Sequence, residues 1–274
     1  MMTIPRLVIF TDLDGTLLDR TTFSFDPAEP ALRLIQTKSI PLILSSSKTR
    51  AEIEVYRKRL ENRHPFISEN GGAVFVPMDY FALRIPYDKT MNEYFVIELG
   101  TPYLLLIEVL KSVKRETGIA IRGFSDLTEE EVSSVCGLKL QEARLAKQRE
   151  YDEPFMIEDG GESEIIKKKI EEKGMNHVWG GKFHHLLGKN DKGKAVRLLK
   201  GFYEKQFSSI LTIGIGDSLN DIPMLLAVDH PIFLKEGDDP SPEPLSTIQN
   251  LTLVEGTGPE MWNEAILNRI NELE

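Results

Sequence analysis

The sequence predicts an α/β protein in which a parallel sheet, with helices on both faces, is interrupted by an inserted α+β domain. Two observations predict this fold class. Apolar strand segments alternate with amphipathic helix segments near both ends of the 274-residue chain, an order typical of a parallel sheet covered by helices. The middle of the chain follows a different order. The predicted division assigns residues 1–85 and 188–274 to the parallel sheet and residues 86–187 to the inserted domain.

The first part of the chain predicts the order β-α-β-α-β. Its first segment, residues 7–10, is too uniformly apolar for a half-exposed strand and is predicted to be buried. Turn residues and helical spacing then predict a helix at 30–39, a strand at 40–49, a helix at 50–62 and two strands around a turn at 70–72. The alternation returns after residue 188, with predicted helices at 191–207, 222–228 and 259–274 and predicted strands from 210 and at 230–235.

The inserted block mixes helices and strands without that alternation. Helical spacing predicts helices at 103–118, 139–151 and 163–174, and a capping box, Thr128 with Glu131, predicts the start of another. Strands are predicted at 93–100, 119–126, 153–158 and within 177–188. The block is therefore predicted to be a separate α+β domain. The length of the chain is compatible with two domains.

Composition excludes several classes of partner. The formal net charge of −10 argues against a nucleic acid or an anionic membrane as partner. The single cysteine, Cys136, rules out an internal disulfide and fits a reducing compartment, so a cytoplasmic location is predicted. No apolar run reaches the ~18 residues that a membrane span needs. A small molecule is the predicted partner, and the sequence does not indicate an oligomeric state.

Three predicted strands end in polar clusters. These are "DLDGT" at 12–16, "SSSKT" at 45–49 and "GDSLND" at 216–221. Ligands bind at the carboxyl ends of strands in open parallel sheets, so the three clusters are expected to meet in one crevice. The segment "DKGK" at 191–194 opens a helix of the same domain and can supply a cation there.

The acidic residues of these clusters predict a Mg²⁺ site. Asp12 and Asp14 are two residues apart and point to the same side if the strand continues through them; Gly15 then lets the chain turn away. Two carboxylates facing Asp217 and Asp221 call for a hard divalent cation. Taken singly, each cluster has a simpler explanation, namely a turn, a helix N-cap or a solvated lysine.

At these residues the chain resembles the haloacid dehalogenase superfamily of phosphotransferases. The superfamily pattern is Asp-x-Asp-x-Thr, a Ser or Thr after the second strand, a Lys, and Gly-Asp-x-x-x-Asp, and the chain has all four in that order. The resemblance implies a Rossmann-like core and Mg²⁺ as cofactor. It also implies Asp12 as nucleophile, Asp14 as general acid and base, Ser46 and Lys192 as phosphate ligands, and Asp217 as metal ligand supported by Asp221, with Asp12 and Asp14 beside the metal.

Residues next to these motifs are expected to bind the substrate: Gly15, Thr16, Ser47, Lys48 and Asn220. Two assignments have close competitors. Ser45 and Ser47 flank Ser46, and Lys189 and Lys194 lie near Lys192.

The position of the inserted block narrows the resemblance. About thirty residues separate "DLDGT" from Ser46, a connection with no room for a domain. The block therefore falls where the C2-type cap of the Cof-like phosphatases lies, and the sugar phosphomutases are disfavoured. Within that branch the chain resembles the mannosyl-3-phosphoglycerate phosphatase family, through its segments at 45–53, 65–77, 123–132, 145–155 and 184–196.

That resemblance implies a substrate with a carboxylate besides its phosphate, converted to mannosylglycerate, a compatible solute. An arginine suits a carboxylate, and Arg122 and Arg149 lie in the family-like segments of the block. Both are equally well explained as surface arginines. His185 is also expected to bind substrate, although "KFHHLL" reads as a strand, so only one of His184 and His185 is expected to point inward.

Two other functions stay open from the sequence. The first is a phosphatase of another metabolite, such as the glucosyl analogue, sucrose phosphate or phosphoglycolate. The second is a non-catalytic binding protein on the same fold. The second predicts a broken motif, whereas Asp12, Asp14, Lys192 and Asp217 are all present.

Overall fold

A computed structural model describes the chain over residues 5–158, 163–180, 182–237 and 243–273. Its strands form two separate sheets. The larger sheet has nine strands in the order β13-β12-β11-β1-β2-β3-β4-β6-β5. These strands are β1 Arg6–Thr11, β2 Leu42–Ser45, β3 Phe66–Ser68, β4 Ala73–Pro77, β5 Lys89–Met91, β6 Tyr94–Glu98, β11 Ile210–Gly216, β12 His230–Lys235 and β13 Thr252–Glu255.

The strands from β13 to β3 are parallel, and β4, β6 and β5 continue the sheet in antiparallel pairings. Alternate residues of β1 pack on opposite faces: Ile9 contributes to one apolar cluster, Val8 and Phe10 to the other. The helices on this sheet are α1 Glu29–Thr37, α2 Arg50–Arg59, α7 Lys192–Phe207, α8 Ile222–Leu225 and α9 Pro259–Glu272. Helices α1, α2 and α9 cover one face, and α7 and α8 cover the other. The predicted α/β class is therefore confirmed.

The smaller sheet has four antiparallel strands in the order β7-β8-β10-β9. They are β7 Ile121–Gly123, β8 Asp152–Ile157, β9 Asn176–Trp179 and β10 His184–Leu187. Helices α3 Tyr103–Thr117 and α6 Ser163–Glu172 pack on it through their own apolar cluster, which includes Leu110, Phe155 and Ile170. Two short helices, α4 Glu129–Cys136 and α5 Leu140–Ala146, form a further cluster with Phe124 and Leu127.

The division of the chain into domains stays a prediction, but the sheets bear on its first boundary. The expected start of the inserted domain at residue 86 places β5 and β6 within it. The structure instead pairs β6 with β4 along Ala73–Pro77, as part of the larger sheet. We therefore favour a start after Glu98. The alternation of Tyr94–Glu98 is compatible with either sheet, because periodicity does not name the partner of a strand.

The described residues contain no helix that is both long enough and apolar enough to cross a lipid bilayer. The cytoplasmic location and the exclusion of nucleic acid stay predictions.

Candidate active site

Three neighbouring parallel strands bring the polar clusters to one edge of the larger sheet. Strand β1 lies between β11 and β2, with Thr11 in register with Ile215 on one side and with Leu44 on the other. The backbone N–H of Asp12 continues this pairing and donates to the carbonyl of Ile215 at 2.9 Å. The residues that follow the three strands are therefore adjacent in space, as the sequence predicts.

Asp12, Asp217 and Asp221 form an acidic cluster at this edge. Each contributes a carboxylate oxygen, and the three oxygens lie within 4.8 Å of one another. Thr16 donates its hydroxyl to Asp217 at 2.7 Å. Asp221 accepts the backbone N–H groups of Asp217 and Ser218 at 3.2 and 3.1 Å, which fixes the loop after β11. The fold itself thus holds these three carboxylates close together.

Two cations contact the cluster. Lys192 is fully buried at the start of α7, and its Nζ lies 2.6 Å from Asp12 Oδ1 and 2.6 Å from Asp221 Oδ1. Arg20 is half-exposed, and its Nη2 lies 2.5 Å from Asp217 Oδ2. Two cations facing three carboxylates leave the cluster with one excess negative charge.

The structure also shows which of the three candidate lysines, Lys189, Lys192 and Lys194, reaches the acidic cluster. Asp191 caps α7 by accepting the N–H of Lys194 at 2.8 Å, which directs Lys192 inward. The ammonium of Lys194 instead donates to the carbonyl of Lys189. Only Lys192, of these three lysines, contacts the acidic cluster.

Burial, together with the neighbouring carboxylates, raises the pKa values of Asp12 and Asp217. Burial raises the pKa of Asp12 well above its ordinary value; Lys192 opposes this shift, and Asp221 and Asp217 add to it. Burial, followed by the charge of Asp221, raises the pKa of Asp217 to about 6. Closely spaced oxygen donors that resist ionisation together are a ligand set that suits a hard divalent cation. Asp12, Asp217 and Asp221 thus fit a metal such as Mg²⁺.

Asp14 departs from the sequence-based expectation. Its carboxylate lies apart from the three clustered oxygens, and Oδ2 contacts Lys48 Nζ at 2.9 Å. The strand does not continue through it, because the chain turns back and Asp14 bridges Leu18. Gly15, with φ of +80°, makes this turn; a side chain there would collide with Arg20 and Asp217. The other carboxylate oxygen, Asp14 Oδ1, is buried, and no group in the described part of the chain donates a hydrogen bond to it.

The loop after β2 is ordered by the start of α2. Thr49 caps the helix by accepting the N–H of Glu52 at 3.2 Å. The hydroxyl of Ser46 is turned into the loop, where it accepts the N–H of Lys48 at 3.2 Å, and the residue is 1% exposed. Ser47, not Ser46, lies on the wall of the adjoining cavity. The role of Ser46 as a phosphate ligand stays a prediction.

A cavity of about 370 Å³ lies between the edge of the larger sheet and the smaller sheet. Its wall includes Asp12, Asp14, Lys48, Asp217 and Asn220 from the first side, and Phe124, Arg149, Lys182, Phe183 and His185 from the second. Thr16 and Gly15 do not line it; they support Asp217 and the turn.

The two predicted arginines differ in position. Arg122 is absent from the cavity wall, and its guanidinium pairs with Glu131 at 2.6 Å. Its neighbours Ile121 and Gly123 are buried, so strand alternation turns Arg122 outward. The structure thus places Arg122 outside the cavity and gives no support to it as a substrate ligand. Arg149 does line the cavity, but it is largely buried and already donates to the carbonyl of Ser47 at 2.7 Å.

Hydrogen bonds join the loop after β2 directly to the smaller unit, which consists of the smaller sheet and helices α3–α6. Besides the bond from Arg149 to the carbonyl of Ser47, Thr49 Oγ1 donates to the carbonyl of Leu145 at 2.9 Å. The loop that follows β2 is therefore held by residues from both units.

Glu69 makes a second junction. Its buried carboxylate accepts the backbone N–H groups of Glu150 at 3.0 Å and Tyr151 at 2.8 Å. Burial raises the pKa of Glu69 to about 8, against the opposing effect of Arg149. Glu69 thus holds the chain at the start of β8.

Sequence reasoning missed several residues of this region. Arg20 lies outside the quoted motifs, although it follows "DLDGT" by four residues. Asn70 and Asp152 are buried and hydrogen bonded to each other, yet they are 82 residues apart. Asp152 directly precedes the predicted strand at 153–158, and the structure buries it at the first position of β8, where a charged side chain needs a partner.

Comparisons with known proteins agree with this geometry. The sequence profile of the haloacid dehalogenase-like hydrolases matches residues 9–243. The chain is 48% identical to the glucosyl-3-phosphoglycerate/mannosyl-3-phosphoglycerate phosphatase of Methanococcoides burtonii, over 97% of both chains. It is 40% identical to the protein of that name from Persephonella marina, over 98% of both chains.

A solved structure from Thermoplasma acidophilum shares the fold, with a TM-score of 0.67 at 20% identity over 99% of this chain and 100% of that one. The sequence matches carry the family assignment. The chain belongs to the haloacid dehalogenase-like hydrolases and, within them, to the family of phosphoric monoester hydrolases named glucosyl-3-phosphoglycerate/mannosyl-3-phosphoglycerate phosphatases.

Proposed function

We propose that the protein is a Mg²⁺-dependent phosphatase that hydrolyses mannosyl-3-phosphoglycerate, and glucosyl-3-phosphoglycerate with it, to phosphate and the glycosylglycerate. The observation that carries this proposal is the Asp12 carboxylate, held by Lys192 at the edge of a cavity that the smaller unit closes from the other side. Two relatives that match almost the whole chain, the glucosyl-3-phosphoglycerate/mannosyl-3-phosphoglycerate phosphatases of Methanococcoides burtonii and Persephonella marina, support this choice of substrate.

The proposed reaction has two steps on Asp12. First, a carboxylate oxygen of Asp12 attacks phosphorus while the bond from phosphorus to the glycerate oxygen breaks, and Asp14 gives that oxygen a proton. Second, water attacks phosphorus of the aspartyl phosphate and passes a proton to Asp14, which frees Asp12 and inorganic phosphate. Asp14 lines the same cavity as Asp12, which supports its role in both proton transfers.

Charge on the phosphoryl oxygens is offset from two directions. Lys192 lies against the attacking carboxylate, and Lys48 lies against Asp14 on the cavity wall. Asp12, Asp217 and Asp221 would hold Mg²⁺, which supplies further positive charge when bound. Fixed positive groups aimed at the transferring phosphoryl group are the main source of rate enhancement in this chemistry.

The rest of the cavity suits the non-phosphate part of such a substrate. Phe124 and Phe183 give it apolar surface, and Arg20 and Lys182 add positive charge for a carboxylate. Pockets for small metabolites commonly combine apolar walls with a few polar groups in this way.

Phosphate release from the mannosyl and glucosyl substrates tests the proposal. The parent should release phosphate with Mg²⁺ and lose that activity in chelator. Asp12→Asn keeps the size of the side chain but removes the attacking charge, so turnover should fall by several powers of ten, a loss typical for a missing nucleophile. Residual turnover within tenfold of the parent would exclude Asp12 as nucleophile. Hydrolysis of sucrose phosphate or phosphoglycolate in preference to both glycerate substrates would exclude the proposed substrate while leaving the chemistry intact.

A further inference from the structure

The histidine pair of β10 divides between the two faces of the smaller sheet. His185 is 4% exposed and lies on the cavity wall. His184 faces away from the cavity; its Nδ1 lies 2.8 Å from Nε2 of His177, and its ring stacks on Phe155. His185 is therefore the inward member of the pair.

Asp152 fixes the orientation of the His185 ring. Its carboxylate is fully buried, with Oδ2 at 2.8 Å and Oδ1 at 3.0 Å from His185 Nδ1. A carboxylate can only accept, so Nδ1 carries the proton. In a neutral imidazole the other nitrogen, Nε2, is then an acceptor.

The Nε2 side of His185 is left open by a glycine. Gly180 lies on the cavity wall, and a Cβ atom on it would stand only 2.7 Å from Nε2. Across the described parts of the chain, the hydrogen bonds of His185's side chain all run through Nδ1. Among the described residues, no group donates a hydrogen bond to Nε2, and His185 lies on the cavity wall.

The carboxylate of Asp152 has other partners besides the imidazole. Arg149 Nη1 lies 3.5 Å from Asp152 Oδ2, so the carboxylate faces a guanidinium as well as the imidazole. Asn70 donates to the same oxygen at 3.0 Å, and Asn220 of the acidic loop donates to Asn70 at 3.0 Å. A continuous chain of hydrogen bonds therefore runs from the loop after β11 to His185.

We propose that His185 contacts the leaving group of the substrate and accepts, at Nε2, a hydrogen bond from one of its hydroxyl groups. Asp152 is the residue that positions the ring, and Asn70 links it to the acidic loop. This inference rests on the proposed function, since it requires a leaving group that carries hydroxyls, such as a glycosylglycerate. It makes His185 a residue for specificity and leaves the chemistry on Asp12 unchanged.

Two amide substitutions at His185 test the roles of Nδ1 and Nε2 separately. His185→Asn can still reach Asp152 but has no atom at the position of Nε2, whereas His185→Gln can place its carbonyl oxygen there. Their kcat and KM are compared on the glycosyl substrate and on p-nitrophenyl phosphate, whose leaving group has no hydroxyl. We expect His185→Asn to lower kcat/KM about three- to tenfold on the glycosyl substrate alone, the loss of one neutral hydrogen bond. His185→Gln should stay within about twofold of the parent.

Three further measurements keep the result independent of folding defects. Gly180→Ala blocks Nε2 without changing the histidine and should reproduce the selective loss. His184→Asn, on the opposite face, should leave both activities at the parental level. Nitrogen NMR, assigned with His185→Asn, should find the neutral ring of His185 protonated at Nδ1.

Several outcomes would overturn the inference. These are parental kcat/KM for His185→Asn on the glycosyl substrate, equal losses on both substrates, or a neutral ring protonated at Nε2. Failure of the proposed function is distinguishable, because the parent itself would then not cleave the glycosyl substrate. The same variants would in that case be compared on glucose 6-phosphate, which keeps the hydroxyl groups.

Discussion

Replacing Lys192 by methionine perturbs the charge balance of the acidic cluster. The ammonium of Lys192 is fully buried and lies 2.6 Å from one oxygen each of Asp12 and Asp221. Methionine keeps an unbranched side chain of similar length and carries no charge. The substitution therefore leaves two buried carboxylates without the cation they share.

The size of the effect follows from this burial. Removing one partner of a buried ion pair costs about 3–5 kcal/mol, because the remaining charge keeps its desolvation penalty and loses its attraction. Because burial already raises the pKa of Asp12, this carboxylate can take up a proton once Lys192 is replaced, and that limits the loss of unfolding free energy to this range. In chelator we expect Lys192→Met to lower the free energy of unfolding by about 3–5 kcal/mol. Saturating Mg²⁺ should reduce the difference, since a metal held by Asp12, Asp217 and Asp221 would supply positive charge to the same cluster.

Urea unfolding followed by tryptophan fluorescence measures this difference. Trp262 is fully buried, and its Nε1 donates to Thr11 at 2.9 Å, one residue before Asp12. Lys200→Met is the matched control, because Lys200 lies on the same helix and pairs with Asp229 at 2.8 Å in a partly exposed setting. Such a pair contributes at most about 1 kcal/mol.

Equal losses for Lys192→Met and Lys200→Met in chelator would refute this reasoning, as would a loss that Mg²⁺ does not reduce. If Lys192→Met does not fold, Lys192→Met combined with Asp221→Asn provides the test. The double variant removes a carboxylate together with the cation, so it should recover most of the lost stability. No recovery would show that Lys192 acts through its packing.

Two further predictions concern the junction and the cap. Arg149→Ala should lower kcat/KM about ten- to a hundredfold on both the glycosyl and the aryl phosphate, because it loses a charge-assisted bond to the loop after β2. Arg122→Ala should change neither activity. A loss confined to the glycosyl substrate would instead identify Arg149 as the carboxylate ligand. The pKa of Glu69 is raised from 4.5 to about 8, so its contribution to stability is complete below pH 4.5 and is lost as the pH rises through about 8. The melting temperature of Glu69→Gln should thus decline less steeply over this range than that of the parent, and parallel curves would contradict the shift.

The core of the site could be predicted from sequence because its parts are local patterns. Asp12, the loop at 45–49 and Asp217 each follow an apolar strand, and parallel strands place such ends together without further information. Lys192 needed one more fact, the helix N-cap at Asp191, which fixes which lysine of "KNDKGK" turns inward.

What could not be predicted depends on contacts distant in sequence. The hydrogen bond that Asn70 donates to Asp152 spans 82 residues, and hydrophobic periodicity gives no information on such a distant contact. The turn that removes Asp14 from the acidic cluster depends on its bridge to Leu18, which competes with the continued strand that a two-residue spacing indicates. Arg122 was the one position where alternation within "IAIRGF" could already have indicated an outward side chain.

The bonds that join the two sheets have a consequence for recombining this family. Three of them use a side chain from one unit and a backbone atom from the other: Thr49 reaches the backbone of α5, Glu69 reaches the chain just before β8, and Arg149 reaches the loop after β2. A backbone partner is present whatever its residue type, so each of these three bonds needs only one particular side chain, whereas Asn70 and Asp152 must be kept as a pair. A chimera that takes its smaller unit from a relative should therefore keep Thr49, Glu69 and Arg149 together with both members of that pair.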